Sequence, residues 1–298
     1  MKIALLVNLE AGGKKGKKLL PVIEKKLSSH NIEFQTFISL YHEHIIQITS
    51  ELEVKNFDAI ISVGGDGTNF HALNGLLANF KPEQLPPFGI IPVGSGNSFA
   101  MDLKINNYND GIRSILENNP KWVDVCSFTQ IDKKFYFVNL TGFGFVTDVA
   151  KTAQKFKIFK DFSYVIGVLH RTIKLNFHYM ELEIDGKMIK GENCFVEFCN
   201  SRFTGGNMLM APDAIIDDGF MDIIVTGKMS RTSILTTLPK IFKGTHTNNP
   251  AVRHFRAKQA KIKTWPDKTL LPDGELFGTT PTSINVHHKM IRYLCLKK

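Results

Sequence analysis

The chain has 298 residues, of which 43% are hydrophobic and 22% charged, and a formal net charge of +9. That composition excludes a disordered or fibrous chain, and the length suits two ordinary domains. No stretch holds the roughly 18 uninterrupted apolar residues that cross a bilayer. The apolar start is too short for a good signal peptide, so cytoplasmic residence is the default expectation.

Residues 2–7, KIALLV, predict a strand, followed by Asn8, the glycine-containing AGGKKGKK stretch and a helix. That helix turns Leu19, Leu20, Ile23 and Leu27 inward. IEFQTFIS (32–39) predicts a second strand, and 44–54 a second helix through Ile45, Ile48 and Leu52. FDAIISV (57–63) is apolar throughout, as a strand covered on both faces should be. A glycine turn, a helix over 69–79, PFGIIPV (87–93), another turn and a short helix follow. Strand, turn and helix repeated four times predict parallel strands with right-handed crossovers. Ligands then bind at the carboxyl ends of the strands, in the turns after 7, 63 and 93.

From about 122 the texture changes to strand-like runs: WVDVCSFT, KFYFVNLTGFGF, HYMELEID, KMIKGENCFVEFCN, GFMDIIVTG and HFRAKQAKIKTW. Met180, Leu182 and Ile184 alternate with Glu181, Glu183 and Asp185, and Asp185-Gly186 is a favoured hairpin turn. Helices are expected over 149–173 and 230–244. The fold class expected is α/β plus β: a parallel-sheet nucleotide-binding domain over 1–124, then an antiparallel, sandwich-like β domain over 125–284. The last strands, within 285–298, return to the first domain or stay in the second; the sequence leaves both open.

The excess positive charge suits nucleic acid, an anionic membrane surface or a polyphosphate substrate. No zinc finger, aromatic RNA-binding signature or recognition-helix pattern occurs, so no nucleic-acid partner is expected. Cys126, Cys194, Cys199 and Cys295 lie in apolar stretches without metal-ligand spacing and read as buried free thiols.

Gly64-Gly65-Asp66-Gly67-Thr68 follows a buried strand and opens a helix. Glycine lets backbone approach phosphate oxygens, and amides at a helix start face an anion. Asp66 repels bare phosphate, so its chemical role runs through Mg²⁺ bridging carboxylate and phosphates. A plain strand–helix turn with Asp66 as N-cap is the structural alternative. Gly94, Ser95, Gly96 and Asn97 form a second glycine loop one βα unit later, beside the first by the strand-end rule. Two such loops side by side point to a nucleotide site.

GGDGT, then ALNGL (72–77) and IPVGSGN, resemble the diacylglycerol kinase catalytic-domain family, which includes bacterial lipid kinases and sphingosine kinases. The resemblance continues through Asn139-Leu-Thr-Gly142-Phe-Gly144, Gly205-Gly206, Ala211-Pro212-Asp213-Ala214, Asp217-Asp218-Gly219 and Asp273-Gly274-Glu275. It implies an ATP-dependent lipid kinase with ATP and Mg²⁺ in a cleft between two domains. Nucleotide contacts are implied at Asn8, Ser39, Gly64, Gly65, Asp66, Gly67, Thr68, Asn69, Phe70 and Ser95, with Gly94, Gly96 and Asn97 alongside. Glu275 is implied as general base, with Asp273 and Asp66 nearby and Asp124 a further acidic position at the domain junction. A structural metal is implied at Asp218 with the carbonyls of Ile215 and Phe220. The implied partners are a lipid substrate and an anionic membrane surface touched transiently and peripherally; a homodimer is left open.

Three positions depart from the family pattern. His71 stands where Glu is usual, Ser98 where many bacterial members have Asp, and Ser39 where Thr is usual, with Thr36 close by. Two other readings compete: an NAD kinase, which shares GGDGT, and a non-catalytic nucleotide- or lipid-binding regulator, which His71 would favour. Residues 151–175 mix basic residues with Phe156, Ile158, Phe159, Phe162, Tyr164 and Val165, as either a membrane-facing lip or a packed helix. Arg253, Arg256, Lys258, Lys261 and Lys263 read as alternating along one strand and adding to such a face. His42 and His44 read as surface histidines rather than a metal pair.

Overall fold

The computed structural model of the chain describes residues 1–41, 43–155 and 170–297. Strands β1 (Lys2–Asn8), β2 (Glu33–Ser39), β3 (Ala59–Gly64) and β4 (Phe88–Pro92) lie parallel in the order β4-β3-β1-β2. Between and after them run α1 (Ala11–Ser29), α2 (His44–Ser50), α3 (Asp66–Asn79), α4 (Ser98–Asp102) and α5 (Tyr108–Glu117). The continuous apolar strands follow from double coverage. Ile3, Leu5 and Val7 pack with Leu20, Ile23, Leu27 and Ile115, whereas Ala4 and Leu6 pack with Ile45, Leu73 and Leu76 on the other face. Strand order reverses between β1 and β3, so a crevice opens at their carboxyl ends. The helix expected over 44–54 stops at Ser50, where the Thr49 and Ser50 hydroxyls donate to carbonyls of the preceding turn.

The second half is antiparallel. In chain order it contains β5 (Pro120–Gln130), β6 (Lys133–Phe137), β7 (Leu140–Gly144), β8 (His178–Ile184) and β9 (Lys187–Cys199). The short ribbon β10 (Phe203–Thr204) and β11 (Met208–Leu209) precedes β12 (Met221–Gly227), β13 (Val252–Ala257), β14 (Gln259–Trp265) and β15 (Thr282–Leu294). Met180, Leu182 and Ile184 of β8 face the core with Phe128, Phe137, Phe143 and Phe198. Asp185 and Gly186, at φ 43° and 84°, make the two-residue turn between β8 and β9. β15 pairs with β14 and β5 and then reaches β4, with Tyr293 opposite Phe88. One hydrogen-bonded path therefore runs from the antiparallel strands into the parallel sheet.

Buried carboxylates that claim backbone amides divide one apolar run and mark an irregularity where two others merge. KFYFVNLTGFGF becomes β6 and β7 because Asp273 accepts from the N–H groups of Val138, Asn139 and Leu140 at 3.2, 2.9 and 3.1 Å. The last expected strands, from the runs SINVHHK and IRYLCLKK, merge into the single strand β15, whose register shifts between His287 and Ile291. There Asp124 accepts from the Lys289 N–H at 2.7 Å. The basic run 253–263 is two strands, β13 and β14, and not one.

Helix α6 (Phe145–Lys155) and α7 (Arg231–Thr237) cover the outer face of β7, β9 and β12. The helix expected over 230–244 changes to a 3-10 helix, Leu238–Lys243, where Pro239 supplies no N–H. Residues Phe156, Ile158, Phe159, Phe162, Tyr164 and Val165 of the basic aromatic stretch lie outside the described residues, as does His42. Among the described residues no helix is long and apolar enough to cross a membrane. All four cysteines are buried free thiols.

Glu197 stands out on this outer face. It is 2% exposed on β9, packed against Gly142 and near Cys199, and its Oε2 has no hydrogen-bond partner among the described residues. Burial pushes its carboxyl from an ordinary 4.5 up to about 8. The folded state thus keeps a proton that the unfolded chain has released, and this contribution to stability falls as pH rises from about 4.5 to about 8. Glu197→Gln should match the wild type in urea unfolding near pH 5 and exceed it by a few kcal/mol at pH 8.5. Parallel wild-type and variant stability curves across that range would contradict this.

Candidate active site

Two glycine loops meet at the carboxyl ends of β3 and β4. A Cβ on Gly94 would lie 2.5 Å from the Cα of Gly65, and one on Gly65 would lie 3.2 Å from the Cα of Gly94. At this approach Gly94 has no room for a Cβ, and a Cβ on Gly65 would be a tight contact. The Val93 and Gly94 amides donate to the Gly64 carbonyl at 2.9 and 3.2 Å. Asn97, at φ 57°, closes its own loop by accepting from the Gly94 N–H at 3.0 Å and donating to the Gly94 carbonyl at 2.8 Å.

Gly65, not Asp66, is the N-cap of α3. The Asp66 carboxylate instead caps α4, accepting from the Ser98 N–H at 3.0 Å and the Phe99 N–H at 3.3 Å. Burial pushes this carboxyl up and those amides pull it down, with burial the stronger. Ser98 Oγ accepts from the Gly206 N–H at 3.0 Å, which brings the Gly205-Gly206 turn onto the second loop. The serine at 98 therefore bonds the second domain where an aspartate would add a third charge.

Asp273-Gly274-Glu275 arrives from the far end of the chain. Asp273 is 2% exposed and held at φ 45° by its three amide donors. Burial pushes its carboxyl up to about 8, and the charge of Asp66 adds to the rise. Glu275 differs: its side chain keeps 30% exposure. Its Oε1 lies so close to Gly67 that any Cβ there would overlap it. Of the two carboxylates, Glu275 is the one an incoming hydroxyl can reach. His71 Nε2 stands 4.0 Å from Glu275 Oε2, and the His71 ring meets the edge of Phe70. The imidazole at 71 thus faces the carboxylate, where a glutamate would repel it.

The remaining expected contacts divide into two groups. Asn8 Nδ2 donates to Thr68 Oγ1 at 3.3 Å, Ser39 is the register partner of Asn8, and Ser95 is exposed on the second loop. Lys14, Lys15, Lys17 and Lys18 are exposed just beyond Asn8, so the mouth of the crevice is positive. Asn69 and Phe70 instead turn inward, Asn69 to accept from the Tyr293 hydroxyl at 3.3 Å and Phe70 into the core beside Phe277.

Asp124, Ile215, Asp218 and Phe220 gather at the junction with β15. Asp124 is fully buried and accepts from the Gly219 N–H at 2.5 Å, the Lys289 N–H at 2.7 Å and His288 Nδ1 at 2.9 Å. Asp218 accepts from the Phe220 N–H at 3.0 Å and pairs with Arg256, while Ile215 is exposed. Asn200, missed in the sequence, joins this junction by donating to the carbonyls of Asp124 and Val138 at 2.9 and 2.8 Å. Its only signal was a polar residue closing a long apolar run. Asp124→Ala should cost roughly 3 kcal/mol or more in urea unfolding, because buried amides lose their acceptor. A cost within about 0.5 kcal/mol, typical of surface substitutions, would contradict that role.

Residues 2–128 match the model of the diacylglycerol kinase catalytic domain, and residues 140–295 match the YegS C-terminal NAD kinase beta sandwich-like domain. A diacylglycerol kinase of Staphylococcus aureus (strain MRSA252) is 29% identical over 285 residues, 94% of this chain and 87% of that one. Among solved structures, a candidate diacylglycerol kinase from Bacillus anthracis str. Sterne is 25% identical at a TM-score of 0.79, covering 99% of this chain and 97% of that one. A second B. anthracis diacylglycerol kinase structure, 22% identical at a TM-score of 0.72, shares the fold. With both halves matched and the paired glycine loops in place, this chain belongs to the diacylglycerol kinase catalytic-domain family.

Proposed function

We propose that the protein transfers the γ-phosphate of ATP to the hydroxyl of a lipid, a diacylglycerol-like or sphingoid alcohol. The packing of Glu275 against Gly67 supports this most, because it sets an accessible carboxylate beside a phosphate-binding loop. The name of the S. aureus relative favours a diacylglycerol-like acceptor.

In this reading the α3 N-terminus and the two glycine loops hold the triphosphate, with Asn8, Ser39 and Ser95 at the rim. The lipid oxygen attacks the γ-phosphorus as the bond to the β-bridging oxygen breaks, and Glu275 takes the hydroxyl proton. Asp66 and Asp273 are neighbouring carboxylates whose charges disfavour one another, and an oxygen-rich, negative pair of this kind suits Mg²⁺. Among the described residues no three His, Cys, Asp or Glu side chains form a ready-made metal cage. Mg²⁺ is commonly held by one or two carboxylates plus substrate phosphates. When bound, it would neutralise phosphate charge beside Asp66. A structural cation at Asp218, Ile215 and Phe220 would compete with Arg256 for the same carboxylate.

The NAD kinase-like description of residues 140–295 favours a second reading, with a dinucleotide as acceptor. Diacylglycerol, sphingosine, undecaprenol and NAD, each offered with ATP and Mg²⁺, separate the two. Phosphorylation of a lipid is expected; phosphorylation of NAD alone would replace the lipid-kinase reading.

A further inference from the structure

We infer that the segment Arg231–Lys243 is the face by which the protein docks on an anionic lipid bilayer; the inference rests on the lipid-kinase reading and adds the surface that reading lacks. The inward side chains of this segment are accounted for. Ile234, Leu238 and Ile241 line a small apolar cavity with Phe145, Phe195 and Val252. Its outward side chains are not. Leu235 is 43% and Phe242 53% exposed, two large apolar groups held in solvent on a segment whose core-facing positions are already filled.

Basic side chains surround these tips. Residues three apart in a 3-10 helix lie over one another, so Lys240 stacks with Lys243 and Pro239 with Phe242. Arg231 precedes Leu235 by one turn on the same face of α7. Its Nε donates to the Ile173 carbonyl at 3.2 Å, which adds a side chain 70% exposed to the same edge. No Asp or Glu occurs from 223 to 266. The basic residues of β13 and β14 differ, since Arg256 pairs with Asp218 and Lys261 with Glu183. Positive charge selects an anionic partner, and apolar tips protruding among lysines match a bilayer, where an acyl layer lies directly beneath anionic headgroups.

The segment is also tied to the nucleotide loops. A Cβ on Gly244 would lie 2.6 Å from Pro212 Cγ, and the His246 ring bonds the Met210 carbonyl at 3.0 Å. Both belong to the stretch 202–214, whose Gly206 bonds Ser98. Docking there would hold the crevice at a fixed place relative to the membrane surface.

Sedimentation with phosphatidylcholine vesicles, with and without phosphatidylglycerol, tests the inference. The wild type should bind only the anionic vesicles. Leu235→Ser/Phe242→Ser should weaken binding roughly tenfold or more, and Lys240→Glu/Lys243→Glu by at least about 25-fold, from about 1 kcal/mol for each lysine lost. Both variants should unfold like the wild type and phosphorylate dioctanoylglycerol in neutral detergent micelles at the wild-type rate. Wild-type protein that ignores anionic vesicles, or variants that bind as it does, would overturn the docking face. Vesicle binding lost in the variants while no form phosphorylates any lipid would keep the docking face and remove the kinase reading.

Discussion

Glu275→Gln should lower phosphate transfer by about 10²–10⁴-fold while leaving nucleotide affinity close to wild type. The amide keeps the shape of the side chain and removes its ability to accept the hydroxyl proton. Nucleotide affinity persists because the glycine loops and α3 do not depend on that proton. Gly67→Ala supplies an independent arm. Its new Cβ would overlap Glu275 Oε1, so the carboxylate must move. Displacement of a reacting group by about 1 Å can cost about 10²-fold in rate. Rates close to wild type in both variants would show that Glu275 is not the base. Loss of nucleotide binding in Glu275→Gln would point to a structural role instead.

Asp273→Ala should destabilise the fold by about 3–5 kcal/mol and reduce transfer with it. Its carboxylate receives three buried amides at the break between β6 and β7, and alanine leaves all three without an acceptor. Asp273→Asn retains one oxygen for the Asn139 and Leu140 amides and presents an NH₂ group to that of Val138. It should therefore recover most of the stability in urea unfolding. Equal losses from Ala and Asn would mean that charge, and not hydrogen bonding, holds this turn. No loss from either would remove Asp273 from the scaffold.

The parallel sheet was legible because its signals are local. KIALLV and FDAIISV read as doubly covered strands, and Asp185-Gly186 as a turn, from residues within a few positions of one another. The paired glycine loops were legible for the same reason, together with the rule that places neighbouring strand ends side by side. What stayed hidden depends on partners far along the chain. Asp273 acts on Val138 across 135 residues, and Asp124 acts on Lys289 across 165. Those carboxylates decide where one apolar run becomes two strands and where two runs become one. Periodicity within either run carries no trace of them. The side chains of Asn69 and Phe70 depend on distant partners in the same way. The motif places them next to the phosphate loop, but the phase of α3 turns them toward Tyr293 and Phe277. The local sequence marks Asp66 as an N-cap or a metal group, and its carboxylate caps a different helix from the one it begins.

The most direct measurement is a single-turnover reaction with γ-labelled ATP, Mg²⁺ and dioctanoylglycerol micelles, followed by separation of aqueous and organic phases. Label should pass into the organic phase with wild-type protein and stay in the aqueous phase with Glu275→Gln. Label that remains aqueous with both, although ATP binds, would contradict phosphate transfer to a diacylglycerol-like acceptor at this site.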